Sequence, residues 1–461
     1  MTCQDFLSSL TTAMGFTPTE EQRTAVEVLW QFFRSTDDRS AMLLCGSAGT
    51  GKTTLTAAIV RVMQWHRQHL MLLAPTGRAA KVLEGYSGAR AHTIHRIIYR
   101  QQTAADIGGY SVDYNKHRHT LFIVDEASMV APNLLCDLIT YVYSGEGCRL
   151  MLIGDAAQLP PIGEEESPAL QTEVLEHLRL VTHKATLHRV LRQGRDSGIL
   201  LNATMVRQMI AHNTPTRLPQ LHLHGMADIS VCPGDELIDQ LAASYSDVGQ
   251  DETIVICRSN RRAVAFNRGI RSQVLGRDER IATGDRVMVV KNKYMPDGSL
   301  IANGDRAVVE RVRNHRSLYG CDFCDVALRL PDYEDMELQS PMLLDTLDTE
   351  APALTPQQQE QLRDAILEDY ADLPPAERQK QLKGDPHWGA LQLKFAYAVT
   401  CHKAQGGQWA HVYVDQGYMT DEMLTPDYIH WLYTAFTRAT SHLYLVNWPK
   451  TQVAPPQSFS E

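Results

Sequence analysis

Residues 46–53 read Gly46-Ser-Ala-Gly-Thr-Gly51-Lys52-Thr53, the spacing G-x-x-x-x-G-K-[ST]. Polyphosphate is held by backbone N–H groups that converge on it, and glycines let the chain come that close. Gly46, Ala48, Gly49, Thr50, Gly51, Lys52, Thr53 and Thr54 are therefore read as a phosphate cradle. Lys52 would reach the terminal phosphates, and the Thr53 hydroxyl would ligate Mg²⁺. Further on, Leu121-Phe-Ile-Val-Asp125-Glu126 ends an apolar run in two carboxylates. An acid at the open end of a buried strand can hold Mg²⁺, and its neighbour can polarise an attacking water. Asp125 is read as the metal ligand beside Thr53, and Glu126 as the base. The two groups together predict a nucleoside triphosphatase and leave open what hydrolysis drives.

These residues need strands to carry them. Ala41–Cys45, His69–Ala74, Leu121–Val124 and Arg149–Ile153 are short apolar runs bounded by Gly, Pro or Asp. Such runs predict a parallel sheet covered by helices on both faces. A second set, Thr253–Cys257, Phe395–Val399, His411–Val414 and His442–Val446, predicts a second α/β domain. Between them, Arg286–Val290 and Ala307–Val309 stand around Pro296-Asp-Gly298 and Asn303-Gly304, turn signals of a small β-barrel or sheet. The stretch from Arg96 to Thr120 carries Gly108-Gly109 between Tyr-rich flanks and predicts an inserted hairpin. Thr355-Pro356 starts a helix with Leu362, Ile366 and Tyr370 at i, i+4 and i+8, and Pro374-Pro375 ends it.

A length of 461 residues gives a soft prior of about three domains. With 44% apolar and 21% charged residues, the chain is neither collagen-like, disordered nor a disulfide scaffold. Nine scattered cysteines fit reduced thiols, and the pair Cys321-Asp-Phe-Cys324 lacks the second pair that zinc needs. No leader pattern and no apolar run of about 18 residues is visible, so the expectation is a cytoplasmic protein without membrane contact. A net charge of −10 argues on its face against nucleic acid. That charge is concentrated: Cys321 to Gln392 holds 16 acidic and 5 basic residues, leaving 39 basic and 38 acidic elsewhere. Arg258 to Arg316 holds 14 basic against 6 acidic. The acidic segment is expected to face away from nucleic acid or to dock on a basic surface of the first domain.

The remaining motifs come in a fixed order. They are Phe16-Thr-Pro-Thr-Glu-Glu-Gln22, Ala74-Pro-Thr-Gly-Arg78-Ala-Ala80 and Ala91-His92-Thr93-Ile-His95. Leu152-Ile-Gly154-Asp155-Ala-Ala-Gln158-Leu-Pro-Pro161 and Val190-Leu-Arg192-Gln193 follow. Tyr397-Ala-Val-Thr400-Cys-His402-Lys403-Ala-Gln405-Gly406 and Tyr433-Thr-Ala-Phe-Thr437-Arg438-Ala439 close the set. In type and order this resembles the motifs of superfamily-1B DNA helicases of the RecD/Dda-like group, over about residues 16–446. One departure is Gly406-Gly407-Gln408-Trp409, where relatives often carry a hydroxyl and an acid after the first glycine.

The resemblance implies that Gln22 reads adenine and that Gln158 senses the γ-phosphate. It implies two arginines that neutralise charge developing on that phosphate, Arg192 and Arg438, the second from the opposite domain. It places DNA contacts at Pro75, Thr76, His92, Thr93, Thr400, His402 and Lys403, and a strand-separating pin in the hairpin. Tyr99, Tyr110 and Tyr114 are the aromatic candidates there, with Tyr110 assigned to the DNA track; His92 and His95 also fit ordinary core histidines. The implied fold class is α/β: two RecA-like P-loop domains, a β-hairpin inserted in the first, and a small SH3-like β-domain with a helical segment inserted in the second. The boundaries are 1–95 with 120–190, 96–119 for the hairpin, 191–284 with 393–461, and 285–392 for the acidic insertion. The implied activity is ATP- and Mg²⁺-dependent 5′-to-3′ movement on single-stranded DNA with separation of duplex junctions, by a monomer. An RNA helicase shares the motif set, and a nucleotide-controlled clamp without unwinding is the alternative from another class.

Overall fold

The computed structural model describes residues 2–101, 110–189, 197–211, 217–295 and 300–455. The first part contributes strands β1 (Ser40–Gly46), β2 (His69–Ala74), β3 (Ala91–Thr93), β4 (Tyr99–Gln101), β5 (Tyr110–Val112), β6 (Thr120–Val124), β7 (Arg149–Gly154) and β8 (Val181–Leu187). Its helices are α1 (Cys3–Met14), α2 (Glu20–Arg34), α3 (Lys52–Trp65), α4 (Gly77–Ser87), α5 (Ile94–Ile98), α6 (Pro132–Ser144) and α7 (Thr172–His177). Six strands form one parallel sheet in the order β3-β2-β6-β7-β1-β8. Alternation along β1 explains why it is buried throughout. Met42 and Leu44 face Phe6, Leu29, Ile59 and Leu83 of α1–α4, whereas Ala41 and Leu43 face Leu135, Leu138 and Leu175 of α6 and α7. In the stretch expected to form a hairpin, β4 pairs antiparallel with β5; residues 102–109 between them lie outside the described residues.

The second part contributes β9 (Ile229–Cys232), β10 (Thr253–Cys257), β11 (Arg286–Val289), β12 (Lys293–Tyr294), β13 (Leu300–Ile301), β14 (Arg306–Leu318), β15 (Cys321–Leu330), β16 (Met336–Leu343), β17 (Leu391–Phe395), β18 (Ala398–Thr400), β19 (Trp409–Asp415) and β20 (Ala439–Val446). Its helices are α8 (Gly198–Ala211), α9 (Leu237–Asp247), α10 (Asn260–Gly269), α11 (Asp345–Asp348), α12 (Pro356–Glu368), α13 (Pro375–Gly384), α14 (Cys401–Ala404) and α15 (Pro426–Phe436). A second parallel sheet runs β18-β10-β19-β20-β9, with α8 and α15 packed on one face and α9 on the other. β9 was not anticipated, because Ile-Ser-Val-Cys is too short and too mixed to stand out. The run Phe395–Val399, read as one strand, is divided between β17 and β18. Asn267 is the physical reason: its Oδ1 accepts the N–H groups of Tyr397 and Ala398 at 3.1 and 2.8 Å, and its Nδ2 donates to the carbonyls of Phe395 and Ala398. A side chain thus satisfies the backbone at a break that no ladder spans.

The insertion is a closed barrel, β11-β14-β15-β16-β17, filled by residues such as Val287, Val309, Val326, Leu328 and Leu393. Cys321 and Cys324 are ordinary residues of β15, and all nine cysteines are free. The acidic helix α12 starts as expected, with Thr355 and Gln358 forming a capping box. Its Leu362 and Ile366 pack with Leu382 of α13 on Phe323 and Leu343 of the barrel. The insertion reaches the first domain through the turn after β15. Lys81 Nζ donates to the Pro331 carbonyl at 2.5 Å, Arg90 pairs with Glu334 at 3.1 Å, and Arg78 lies 3.8 Å from Asp332.

Asp305, buried at this joint, accepts from the Tyr333 hydroxyl and the Ala302 amide. Burial pushes its carboxyl up to about 6. A folded-state value above the unfolded one, near 4, favours the protonated folded form, so its stabilisation is complete below pH ~4 and is lost as pH rises through ~6. Melting curves of the wild type and Asp305→Asn between pH 4 and 7 are expected to diverge with that sign, the wild type losing more Tm on the way up. No helix of the described residues is long and apolar enough to cross a membrane.

Candidate functional site

β1 ends at the phosphate-type loop, which turns back through Gly49 at φ 78° and Gly51 at φ 87° before entering α3. L side chains rarely adopt that region, so the two glycines allow a turn that other residues would strain. The Thr50 hydroxyl donates to the Ser47 carbonyl at 2.8 Å and closes the loop. Lys52 Nζ donates to the carbonyls of Gly46 and Ser47, folded back over the loop mouth. Gly46 and Thr50 are buried and shape the loop, while Ala48, Gly49, Gly51, Lys52, Thr53 and Thr54 line a cleft of about 860 Å³.

The opposite wall holds both expected carboxylates, Gln158 and Arg438. Asp125 follows β6, with Oδ1 accepting the Glu126 amide at 2.9 Å and Oδ2 accepting the Tyr86 hydroxyl at 2.5 Å. Glu126 adopts a left-handed conformation, φ 51°, costly for a non-glycine residue and found mainly where surroundings demand it. Its Oε1 lies 3.9 Å from Arg438 Nη1. Burial pushes both carboxyls up, and Arg438 pulls Glu126 back down. Arg438 is 3% exposed and is held at the end of α15 by the carbonyls of Thr434 and Gly407, at 3.1 and 3.2 Å. Gln158 is buried with Oε1 unbonded. Among the described residues no group of three His, Cys, Asp or Glu could hold a metal, so an ion here would complete its shell with water and phosphate oxygens.

The second domain touches the loop directly. The Ala48 amide donates to the Tyr433 hydroxyl at 3.0 Å, and Arg207 of α8 donates to the Ser47 hydroxyl. Arg192, expected as a second cation, lies outside the described residues. Gln22, expected to read adenine, is buried at the start of α2. Its Oε1 accepts the Thr19 amide at 3.1 Å in the capping box of α2, its Nε2 is buried without a partner, and Phe16, Thr17 and Thr19 line the cleft instead.

The expected DNA positions are brought near one another but are partly occupied. Pro75 is buried; the hydroxyls of Thr76 and Thr93 accept the amides of Ala79 and Arg96 as N-caps of α4 and α5. His92 and Thr93 line a second cleft, of about 520 Å³, between α4 and the barrel turn at Pro331–Met336. Thr400 ends β18, and His402 and Lys403 lie in α14, which follows it directly. Lys403 bonds Asn303 of the barrel, and burial pushes its ammonium down to about 8. Burial also lowers His92 and His402. Tyr99 donates to Asp137 at 2.6 Å and is anchored to α6; Tyr114 is exposed, and the Tyr110 side chain lies outside the described residues.

Three residues escaped the sequence reading: Tyr86, Arg207 and Tyr433 in the role of a loop contact. Tyr433 opens the segment Tyr433–Ala439, but only the apposition of two domains reveals what its hydroxyl meets.

Comparison with known proteins adds two family profiles. One described as AAA domain matches residues 17–227, and one described as UvrD-like helicase C-terminal domain matches residues 395–446. The ATP-dependent RecD2 DNA helicase of Deinococcus radiodurans is 35% identical over 127 residues, covering 26% of this chain and 16% of its own. The ATP-dependent DNA helicase dda of Enterobacteria phage T4 is 28% identical over 172 residues, covering 34% of this chain and 36% of its own. The matched stretches thus span well under half of these relatives. A solved Pif1 helicase from Bacteroides superposes with a TM-score of 0.49 at 16% identity, over 95% of this chain and 94% of that one.

Proposed function

We propose that the chain is a member of the RecD/Dda-like group of superfamily-1B helicases, an ATP-driven motor on single-stranded DNA that moves 5′ to 3′ and separates duplex; the two matching family profiles and the resemblance to RecD2 and Dda support this reading. The observation that carries this reading is the two-domain make-up of the cleft. The phosphate loop and both acids come from the first sheet, whereas the buried guanidinium of Arg438 comes from the helix packed on the second. Chemistry that needs both walls ties hydrolysis to apposition of the domains, which is the stroke a translocating motor requires.

In this proposal Lys52 binds the β- and γ-phosphates, Glu126 takes the proton of the attacking water, and Arg438 neutralises charge developing on the γ-phosphoryl. Gln158, with an unbonded oxygen, reports γ-phosphate occupancy. The donor set suits Mg²⁺: the Thr53 hydroxyl and the Asp125 carboxylate would hold it, and bound there it would offset charge on the phosphates. Tyr86 positions Asp125, so Tyr86→Phe is expected to raise half-saturating Mg²⁺ about tenfold, as removal of a partner of a metal ligand commonly does. A Mg²⁺ titration of ATPase rate checks this. The barrel is read as the small SH3-like domain of the group, and the strip from His92 and Thr93 to Thr400, His402 and Lys403 as the strand's path. Backbone amides and hydroxyls there would grip phosphates without reading sequence.

The test is ATPase rate with no nucleic acid, with a DNA oligonucleotide and with the matching RNA. Strong stimulation by DNA supports the proposal. RNA as the better activator would favour the RNA helicase reading, and stimulation by neither would favour a clamp.

A further inference from the structure

One face of α15 carries His430, Tyr433 and Thr434, at i, i+3 and i+4, and all three turn to the first domain. The Tyr433 hydroxyl has one proton and gives it to Asp155 Oδ2 at 2.5 Å, while accepting the Ala48 amide at 3.0 Å. Asp155 Oδ1 in turn accepts the Ala157 amide at 3.0 Å. The Leu159 amide donates to the Thr434 hydroxyl at 2.8 Å, and His430 Nδ1 meets the Ala157 carbonyl at 2.9 Å. On the far side, Gln405 Nε2 donates to the Leu159 carbonyl at 2.6 Å. Tyr433, Thr434, Asp155 and Gln405 are all buried. A continuous set of direct bonds therefore runs from the phosphate loop through loop 155–159 to the segment that carries Thr400, His402 and Lys403.

We infer that Tyr433 is a positioning residue that relays phosphate-loop occupancy to the DNA track, its hydroxyl sharing the Ala48 amide with an arriving terminal phosphate and its grip on Asp155 moving loop 155–159 and Gln405. The inference rests on the helicase reading. An amide of a phosphate loop is a donor that a phosphate oxygen competes for, so the phenol's bonds differ between the empty and the loaded loop. Burial and the adjacent Asp155 push the phenol well above its ordinary value, so it remains a donor at every pH at which the protein works. Arg207, bonded to Ser47 from α8, marks the same edge of the loop as the one the second domain grips. Packing alone does not call for a hydroxyl here: phenylalanine would fill the same space.

Tyr433→Phe deletes only that oxygen. In the full chain, ATPase is measured with and without single-stranded oligothymidylate, and the affinity for that oligonucleotide is measured with and without a non-hydrolysable ATP analogue. The ratio of stimulated to basal rate is expected to fall about tenfold or more, within the range of coupling between linked sites. The analogue-dependent shift in affinity should vanish with it. Asp155→Asn keeps an acceptor for the phenol and is expected to hold most of the ratio, whereas Asp155→Ala should behave like Tyr433→Phe. A Tyr433→Phe ratio within twofold of the wild type overturns the relay, whether or not both rates have fallen together. A wild type without stimulation overturns the helicase reading and the relay with it; a stimulated wild type beside an equally stimulated variant overturns the relay alone.

Discussion

Lys52→Ala is expected to reduce ATP turnover by at least ~10³-fold and to abolish unwinding, while single-stranded DNA still binds. The ammonium sits at the loop mouth, bonded to the carbonyls of Gly46 and Ser47 in the absence of phosphate. An arriving β,γ-phosphate draws it away, because a charged pair is stronger than two bonds to neutral carbonyls. Alanine leaves the loop's shape intact, since Gly49, Gly51 and the Thr50–Ser47 bond set it. The loss should therefore appear in turnover and nucleotide affinity and not in the melting temperature. A variant that melts normally and hydrolyses ATP at the wild-type rate would remove the loop from the mechanism.

Arg438→Ala is expected to cost about 10³-fold or more in kcat, the range for an arginine that meets a transferring phosphoryl group. Two losses combine. The developing charge loses its guanidinium, and Glu126 loses the stronger of the two cations, Arg438 and Lys52, that hold its buried carboxyl down. With burial opposed by Lys52 alone, Glu126 holds its proton more tightly and becomes a poorer base at neutral pH. The pH–rate profile of the variant should accordingly shift its acidic limb upward. Arg438→Lys keeps the charge but not the fork that the carbonyls of Thr434 and Gly407 hold, so it should recover only part of the rate. Nucleotide affinity, measured by equilibrium binding, should change far less than kcat. An Arg438→Ala variant that loses binding and keeps kcat would place the residue in ground-state binding instead.

Local pattern made much of this legible. The phosphate loop, the Asp125-Glu126 pair and the strands buried on both faces follow from short-range composition, as does the capped start of α12. The strand break at Tyr397 is not legible, because Asn267, distant in sequence, replaces the ladder there. Gln22 shows that one side chain can answer two patterns: its Oε1 closes a helix cap that the Thr19 spacing encodes, and its Nε2 stays without a partner. The acidic segment meets Lys81 and Arg90 of the first domain through the turn at Pro331–Glu334, while the apolar faces of its helices turn to the barrel, a division that charge counts alone do not reveal. Tyr86 and Tyr433 look like core tyrosines in the sequence. Their hydroxyls acquire meaning only from Asp125 and Ala48, which come from other elements.

Directional unwinding tests the central claim most directly. Duplexes carrying a single-stranded tail at either the 5′ or the 3′ end are mixed with the protein, Mg²⁺ and ATP, and strand release is followed in time. ATP-dependent release from the 5′-tailed duplex, little from the 3′-tailed one and none with Lys52→Ala is the expected result. Release from the 3′ tail alone, or equal release by wild type and Lys52→Ala, would contradict it.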